Sequence, residues 1–451
     1  MATELPNIAL IMTDQQKASA TSIYGNRVVR TPSWARLADE GVTFDSCFAN
    51  SSVCTPSRAS LMTGLDVPVH QATSNRNKIS PEFPQLSELL GRAGYHCGVV
   101  GHHDGFAGLN RGWDWEVDWW DRRRGLCQIF YEVDELSKSV KPLRGWISGV
   151  HPRPADQGLA ARMTDYAIQY VDEIAQEPFF LHLAHLEPHP PYFPPEPYAS
   201  MYSTEGIILP PSPDPAHQPQ WQKEAAQEML MHQATEHDMR LAIARYYGLV
   251  SYVDAQIGRF IEHLEQKGLL DRTWIFLVSD HGDFTGEHGL FTKSHALYDC
   301  LTHVPMVIRP PDGYRKRGRR IQELAQVFDL FPTICEIAGV TVPQPCHALS
   351  LNEWLEDGSV SPIRDSVFMA VGGNANPRAS FPQGMPLRGV HREVIHAIRT
   401  HSRKYIRDPE NGDEFYRLSE DPHELVNLSG IATASEMQPL KEALDQWAIG
   451  R

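Results

Sequence analysis

Cys54, Pro56 and Arg58 carry the chemistry of the stretch SSVCTPSRASLMTG, residues 51–64: a thiol, a proline two residues on and a guanidinium four residues on. Arg58 to Met62 should open a helix, which sets Cys54 at a helix N-terminus, where backbone N–H groups and the helix dipole favour an anion. Two other places offer metal-ligating groups. The apolar run Asn7 to Met12 reads as a buried parallel strand and ends at Asp14 and Gln15, a carboxylate and an amide carbonyl that are hard oxygen donors for calcium, magnesium or manganese. The run Trp274 to Val278 is a second buried strand and ends at Asp280 and His281; a parallel sheet would bring them beside Asp14 and complete an oxygen-and-nitrogen site. Taken singly, a cysteine is more often a packing residue and a loop aspartate a cap. Taken together, they point to one site.

The match around Cys54 continues through Ala59, Ser60, Leu61, Met62, Thr63 and Gly64, and it resembles the maturation signal of the type I, formylglycine-dependent sulfatases, in the sulfatase and phosphonate monoester hydrolase branch of the alkaline phosphatase superfamily. In that family the thiol is oxidised to formylglycine by a formylglycine-generating enzyme. The hydrated aldehyde is a geminal diol: one oxygen attacks sulfur or phosphorus, and the other later expels the product by collapsing to the carbonyl. The resemblance implies a divalent cation, Ca2+ first with Mn2+ or Mg2+ as alternatives, held by Asp14, Gln15, Asp280, His281 and the modified Cys54. It implies that Arg58 holds the diol by charge-assisted hydrogen bonds, that His189 in HLEPHPPYFPP protonates the leaving group, and that Lys293 in GEHGLFTK binds the transferred group.

Two positions depart from the sulfatase pattern. Gln15 stands where the family usually has a second acid, and after Gly101 the expected lysine, tryptophan and histidine are replaced by His102, His103 and Asp104. His102 is then a candidate substrate-contacting imidazole. Asn75 lies where related phosphonate monoester hydrolases carry a substrate-contacting asparagine.

Positioning these groups requires alternating strands and helices. Helices are expected over Thr31–Gly41, Leu86–Arg92, Met163–Ala175, Asp238–Lys267 and Leu324–Gly339, with strands at Val42–Phe44, Gly98–Val100, Phe179–Leu183 and Val304–Ile308. Residues 113–154, with Arg122, Arg123 and Arg124, show no clean period and read as an insertion shaping a substrate mouth, and Pro210–Gln222 reads as a surface loop. Past Pro345, short runs at 362–369, 390–399 and 404–407, a sulfatase-like tail motif from Tyr416 to Leu428 and a helix near Met437–Trp447 suggest a small antiparallel sheet with a closing helix. The fold implied is an alkaline-phosphatase-like α/β sandwich with a mostly parallel central sheet between helices over 1–345, plus a C-terminal α+β subdomain over 346–451.

The 451 residues carry 56 acidic against 41 basic side chains, a formal charge of −15, which argues against nucleic acid or an anionic membrane as partner. Seven scattered cysteines suit reduced thiols, no run of about 18 apolar residues suggests a membrane span, and the Ile8–Met12 run is too short for a signal peptide, so cytoplasmic residence is expected. The partner expected is a small-molecule or saccharide sulfate ester; a homo-oligomer is left open. The function expected first is sulfate monoester hydrolysis. A phosphonate monoester or phosphodiester hydrolase using the same site is second, favoured by Gln15, His102 and Asn75, and a catalytically silent binding protein on the same fold is third.

Overall fold

The computed structural model describes residues 5–75, 77–104, 107–139, 148–174, 177–214, 218–312, 317–356, 361–373 and 393–449. Eight strands form one sheet: β1 (Asn7–Thr13), β2 (Val42–Phe48), β3 (His96–Gly101), β4 (Trp115–Asp118), β5 (Phe179–Ala184), β6 (Thr273–Ser279), β7 (Met306–Arg309) and β8 (Arg319–Gln326). Their order is β4-β3-β5-β1-β6-β7-β2-β8. Every neighbouring pair is parallel except the two made by β7, which runs against both β6 and β2.

β1 lies at the centre because every one of its side chains is buried. Ile8, Leu10 and Met12 enter one apolar layer with Leu61, Leu86, Phe276 and Phe331, while Ala9 and Ile11 enter the opposite layer with Trp34, Met163, Tyr170 and Ile257. This is the period-2 alternation of a strand covered on both faces, each large side chain contributing about 1.5–3 kcal/mol of burial. The helices that cover it are positioned across sequence. The helix Glu236–Gln266 opens on a capping box between Thr235 and Asp238, and its Asp254 carboxylate accepts the Ser33 and Trp34 backbone N–H groups, both at 3.0 Å, so it caps α1 (Pro32–Glu40).

Three local expectations change. Residues 324–326 belong to β8 and the helix is confined to Leu330–Ile337. Parallel pairing of β8 with β2 overrides the helical propensity of that short run. The segment after Trp113 holds both β4 and a helix, Leu126–Ser139, whose Leu126 and Ile129 reach the core. The loop reading of Pro210–Gln222 ends early, since a helix starts at Gln220.

The second sheet is antiparallel, ordered β12-β11-β10-β9, from β9 (Val367–Gly372), β10 (Val394–Arg399), β11 (Arg403–Arg407) and β12 (Glu414–Arg417). Residues 390–392, expected to begin the second of the three short runs, lie outside the described residues. One face packs Met369, Val371, Ala397 and Ile406 against Phe284 and Leu297, and the other packs Ile398, Tyr405 and Phe415 on the closing helix Ala434–Ala448. Lys404 Nζ, fully buried, ties the sheet to the larger unit through Asp299 Oδ1 and to the segment after β12 through Glu424 Oε1, each at 2.7 Å. Among the described residues no helix is long and apolar enough to cross a membrane.

At the seam between the two sheets the His288 ring stacks on Tyr298 with centroids 4.1 Å apart. Burial pushes His288 down to about 3 from its ordinary 6.5. The folded value lies below the unfolded one, so the contribution is present above pH 6.5 and is lost as pH falls toward 3. His288→Asn, which tolerates the local φ of +56°, should be less stable at pH 7. Its stability should also fall less steeply between pH 6.5 and 5, by about 1.4 kcal/mol per pH unit. Urea unfolding across that range measures the slope, and equal slopes would refute the assignment.

Candidate active site

β1 and β6 pair in register, Met12 opposite Val278 and Thr13 opposite Ser279, so both strands end at the same level and Asp14 meets Asp280. The Gln15 backbone N–H closes the meeting by donating to Asp280 Oδ1 at 3.0 Å. α2 (Cys54–Thr63) is buried along its whole length and aims its first residue at these strand ends. Its own N-cap, Val53, has no capping side chain, and the orphaned Thr55 N–H is taken by Asn75 Oδ1 at 2.9 Å. Asn75 therefore sits against the first turn of α2. At the other end Gly64, at φ +69°, turns the chain out with its N–H on Ser60 O.

Cys54 Sγ lies 3.7 Å from Asp14 Oδ1 and 3.4 Å from His281 Nε2, and Lys293 Nζ donates to it at 2.8 Å. Burial, then Asp14, pushes the thiol well above its ordinary value, against Lys293. Arg58, 1% exposed, spans the two carboxylates: its Nε donates to Asp280 Oδ2 at 2.9 Å and its Nη2 to Asp14 Oδ2 at 3.1 Å, with a further bond to the carbonyl oxygen of His102. The guanidinium thus orients the carboxylates that face residue 54. Burial would raise Asp14, but Lys293, the His102 hydrogen bond and further cations hold it well below the carboxylate range.

His102 bridges Asp14 Oδ2 at 2.8 Å and Asp104 Oδ1 at 2.9 Å. Burial alone would lower it, but these carboxylates, Asp104 foremost, raise it to about 9, so the ring is an imidazolium. Gly101 makes this turn possible: at φ +104° a Cβ there would stand 2.0 Å from Ala184 O. His189 stands on the loop after β5 with Nδ1–H donated to Pro190 O at 2.6 Å, which leaves Nε2 as the atom able to meet a ligand. Burial and then Lys293 lower it to about 3, so it is neutral. The fold thus brings Asp14, Gln15, Cys54, Arg58, Asp280, His281 and Lys293 to one centre, with His102 beside it, Asn75 on the supporting turn and His189 within electrostatic reach.

The pair that sequence reading passed over is Asp283 with Tyr192. Gln15 Nε2 donates to Asp283 Oδ2 at 2.6 Å, and the Tyr192 hydroxyl donates to the same carboxylate at 2.8 Å. With its NH2 so fixed, Gln15 Oε1 is buried and has no hydrogen-bond partner. Only the position of Asp283, three residues past Asp280, offered a hint. A buried, unpartnered carbonyl oxygen costs about 1–3 kcal/mol, a cost a cation would remove. One donor atom each from Asp14, Cys54, Asp280 and His281 lies within 4.8 Å of the others, all buried. Two carboxylates, an imidazole and an oriented amide oxygen fit a divalent cation, and the orphaned Gln15 oxygen supports that fit. Asp283→Ala frees the Gln15 amide to rotate and should weaken Mn2+ binding about 10–100-fold, as loss of a ligand-orienting partner does. Calorimetric titration with Mn2+ checks this, and unchanged affinity would show that Gln15 needs no such support.

A family model described as "Sulfatase" matches residues 6–340, and one described as "N-sulphoglucosamine sulphohydrolase, C-terminal" matches 286–448. An arylsulfatase of Clostridium perfringens (strain 13 / Type A) is 26% identical over 461 residues, covering 94% of this chain and 90% of its own. An N-acetylglucosamine-6-O-sulfatase of Bacteroides thetaiotaomicron is 26% identical over 506 residues, covering 98% and 86%. Among solved structures, the phosphonate monoester hydrolase of Agrobacterium radiobacter superposes with a TM-score of 0.81 at 24% identity, covering 98% of this chain and 95% of that one.

Proposed function

The chain belongs to the sulfatase family of sulfuric ester hydrolases, on the alkaline-phosphatase-like fold, and from that premise we propose that it cleaves sulfate monoesters with a formylglycine made from Cys54. The observation that carries this reading is the buried meeting of Cys54 Sγ with Lys293 Nζ, His281 Nε2 and Asp14 Oδ1. Asp14, Gln15, Asp280, His281 and residue 54 would hold one divalent cation, Ca2+ first, with Mn2+ or Mg2+ the alternatives. A cation bound there supplies Lewis acidity, lowering the pKa of a hydroxyl on residue 54 and withdrawing charge from the ester.

The chain's own groups do the rest. Lys293 is held protonated, since the burial that opposes its charge is outweighed by Cys54 and Asp14. It places a fixed positive charge where the sulfuryl oxygens gather, in a protein whose overall charge repels anions. Arg58 keeps the two carboxylates in place. His189, whose Nδ1–H is held by Pro190, presents a lone pair on Nε2 that can take the proton of a hydroxyl on residue 54 and then pass it to the oxygen of the leaving alcohol. Beside His102 stands a wall of packed rings, Trp119, Trp120, Phe130 and Tyr131, with neighbouring centroids 4.8 to 5.3 Å apart. Such a wall suits a flat leaving group, a sugar or an aryl ring. The glucosamine sulfatase relative supports the saccharide choice. Residues 1–345 form the catalytic unit of this proposal and 346–451 its C-terminal subdomain.

Peptide mass spectrometry after expression with a formylglycine-generating enzyme should show a clear mass loss at Cys54. An unmodified peptide from such a host would instead support a silent binding protein. Initial rates should favour an aryl or glucosamine sulfate over an aryl phosphonate. Gln15 in place of a second acid and His102 in place of a lysine favour the alternative, a phosphonate monoester or phosphodiester hydrolase, and sulfate turnover slower by several decades would establish it.

A further inference from the structure

We propose that His103, Glu116 and Asp118 form a second divalent-cation site, distinct from the cluster at Cys54. β3 and β4 run parallel with Val99 opposite Glu116 and Gly101 opposite Asp118. Glu116 and Asp118, two residues apart on one strand, project to the same side of the sheet, while Val117 between them is buried in the core beneath. The turn at Gly101 delivers His103 to the same place, and one donor atom from each of the three lies within 4.8 Å of the others.

The imidazole separates this cluster from an ordinary acidic patch. Its ring is 2% exposed, and Nδ1 is 3.2 Å from Gly101 O. A carbonyl oxygen only accepts, so Nδ1 donates there and Nε2 is the ring atom turned toward the carboxylates. Nε2 is buried and stands 3.1 Å from Glu116 Oε1, off the angles of a well-formed hydrogen bond. An imidazole nitrogen and a carboxylate oxygen at that distance need a positive centre between them, which is either a proton or a metal ion that displaces it. Zinc binds imidazole and carboxylate at about 2.0–2.2 Å, which spaces donors on one ion about 3–4 Å apart, as His103 Nε2 and Glu116 Oε1 are at 3.1 Å, and the third donor lies within 4.8 Å of both.

The surroundings fit a bound ion. Asp118 Oδ1 accepts the Trp120 N–H at 2.9 Å and is fixed in orientation, and Asp121 beside it is already neutralised by Arg124 at 2.9 Å. Glu116, Asp118, Trp120 and Asp121 line an open hollow of about 260 Å³ that gives an ion and its waters a route in. With one imidazole and two carboxylates from the protein, the remaining positions fall to solvent. The Cys54 cluster and this one share no residue, so the proposal does not rest on the reading of the catalytic centre.

Equilibrium dialysis of the full-length protein against Zn2+ alone, with metal content measured per chain, tests it. Wild type should bind one more equivalent than Glu116→Gln, Asp118→Asn or the double variant. The tightest-binding equivalent missing from the double variant should be restored by neither magnesium nor calcium. His103→Gln should weaken the same equivalent at least 10-fold, the scale of losing one ligand-shell group. Glu116→Gln, on a side chain 42% exposed, keeps the fold and guards against a trivial unfolding result. Equal zinc content in wild type and the Glu116 and Asp118 variants would overturn the proposal, and so would an affinity unmoved by His103→Gln in a folded protein.

Discussion

Cys54→Ala is expected to cut kcat/KM for a sulfate ester by about 10⁴- to 10⁶-fold, the range seen when a nucleophile is removed from a preorganised site. Cys54 opens α2 at a position where alanine is well tolerated, so the fold and its thermal midpoint should survive. Cys54→Ser should fare little better, because a serine hydroxyl lacks the second oxygen through which a geminal diol releases its product. Lys293, which donates to Sγ at 2.8 Å, loses that acceptor in the alanine variant and retains its ion pair with Asp14. Initial rates together with the intact mass of the wild-type protein separate loss of the nucleophile from failure to mature it. An alanine variant keeping more than about 1% of wild-type kcat/KM, under two decades of loss, would place the chemistry elsewhere.

Arg58→Met carries the largest expected cost in stability. The guanidinium is buried between Asp14 and Asp280, at 3.1 and 2.8 Å by its Nη2, and its removal leaves the fully buried Asp280 without its guanidinium partner and Asp14 with only His102 and Lys293. Breaking a buried pair in this way costs about 3–5 kcal/mol. Arg36, paired with Glu40 and Glu265 at the surface, is the control, and Arg36→Met should cost under about 1 kcal/mol. A distinguishing consequence concerns cations: millimolar Ca2+ or Mn2+ should stabilise Arg58→Met more than wild type, since a bound ion offsets the carboxylates the arginine no longer does. Thermal unfolding with and without metal reads both effects. Equal costs for Arg58→Met and Arg36→Met, or an equal response to metal, would contradict this role. Turnover should fall with it, because Asp14 and Asp280 lose the group that aligns them.

Much of the site is legible along the chain because each part is local. A buried strand announces itself as an apolar run, and a polar residue at its end marks where the sheet stops; Asp14 and Asp280 stand at two such ends. The Cys54 stretch is one contiguous segment whose order of residue types carries its meaning. Lys293 and His189 lie in similarly compact contexts. Where expectation failed, at residues 324–326 and in the two elements after Trp113, short segments with weak periodicity took their conformation from the strand or core they met.

The sequence by itself determined the residue types at the centre, the alternation of strands and helices, and the separation of a mainly parallel sheet from a small antiparallel one. Only the tertiary structure decided that Arg58 spends itself on Asp14 and Asp280, that Asn75 caps the first turn of α2, and that Asp283 ties down the NH2 end of the Gln15 amide. It also decided that β7 runs against its neighbours, and that His103 faces Glu116. The reason is physical. Periodicity and composition report how each segment meets water, whereas the partner of a buried charge or amide is chosen by hydrogen-bond geometry among groups up to 268 positions apart, and no local pattern encodes that distance.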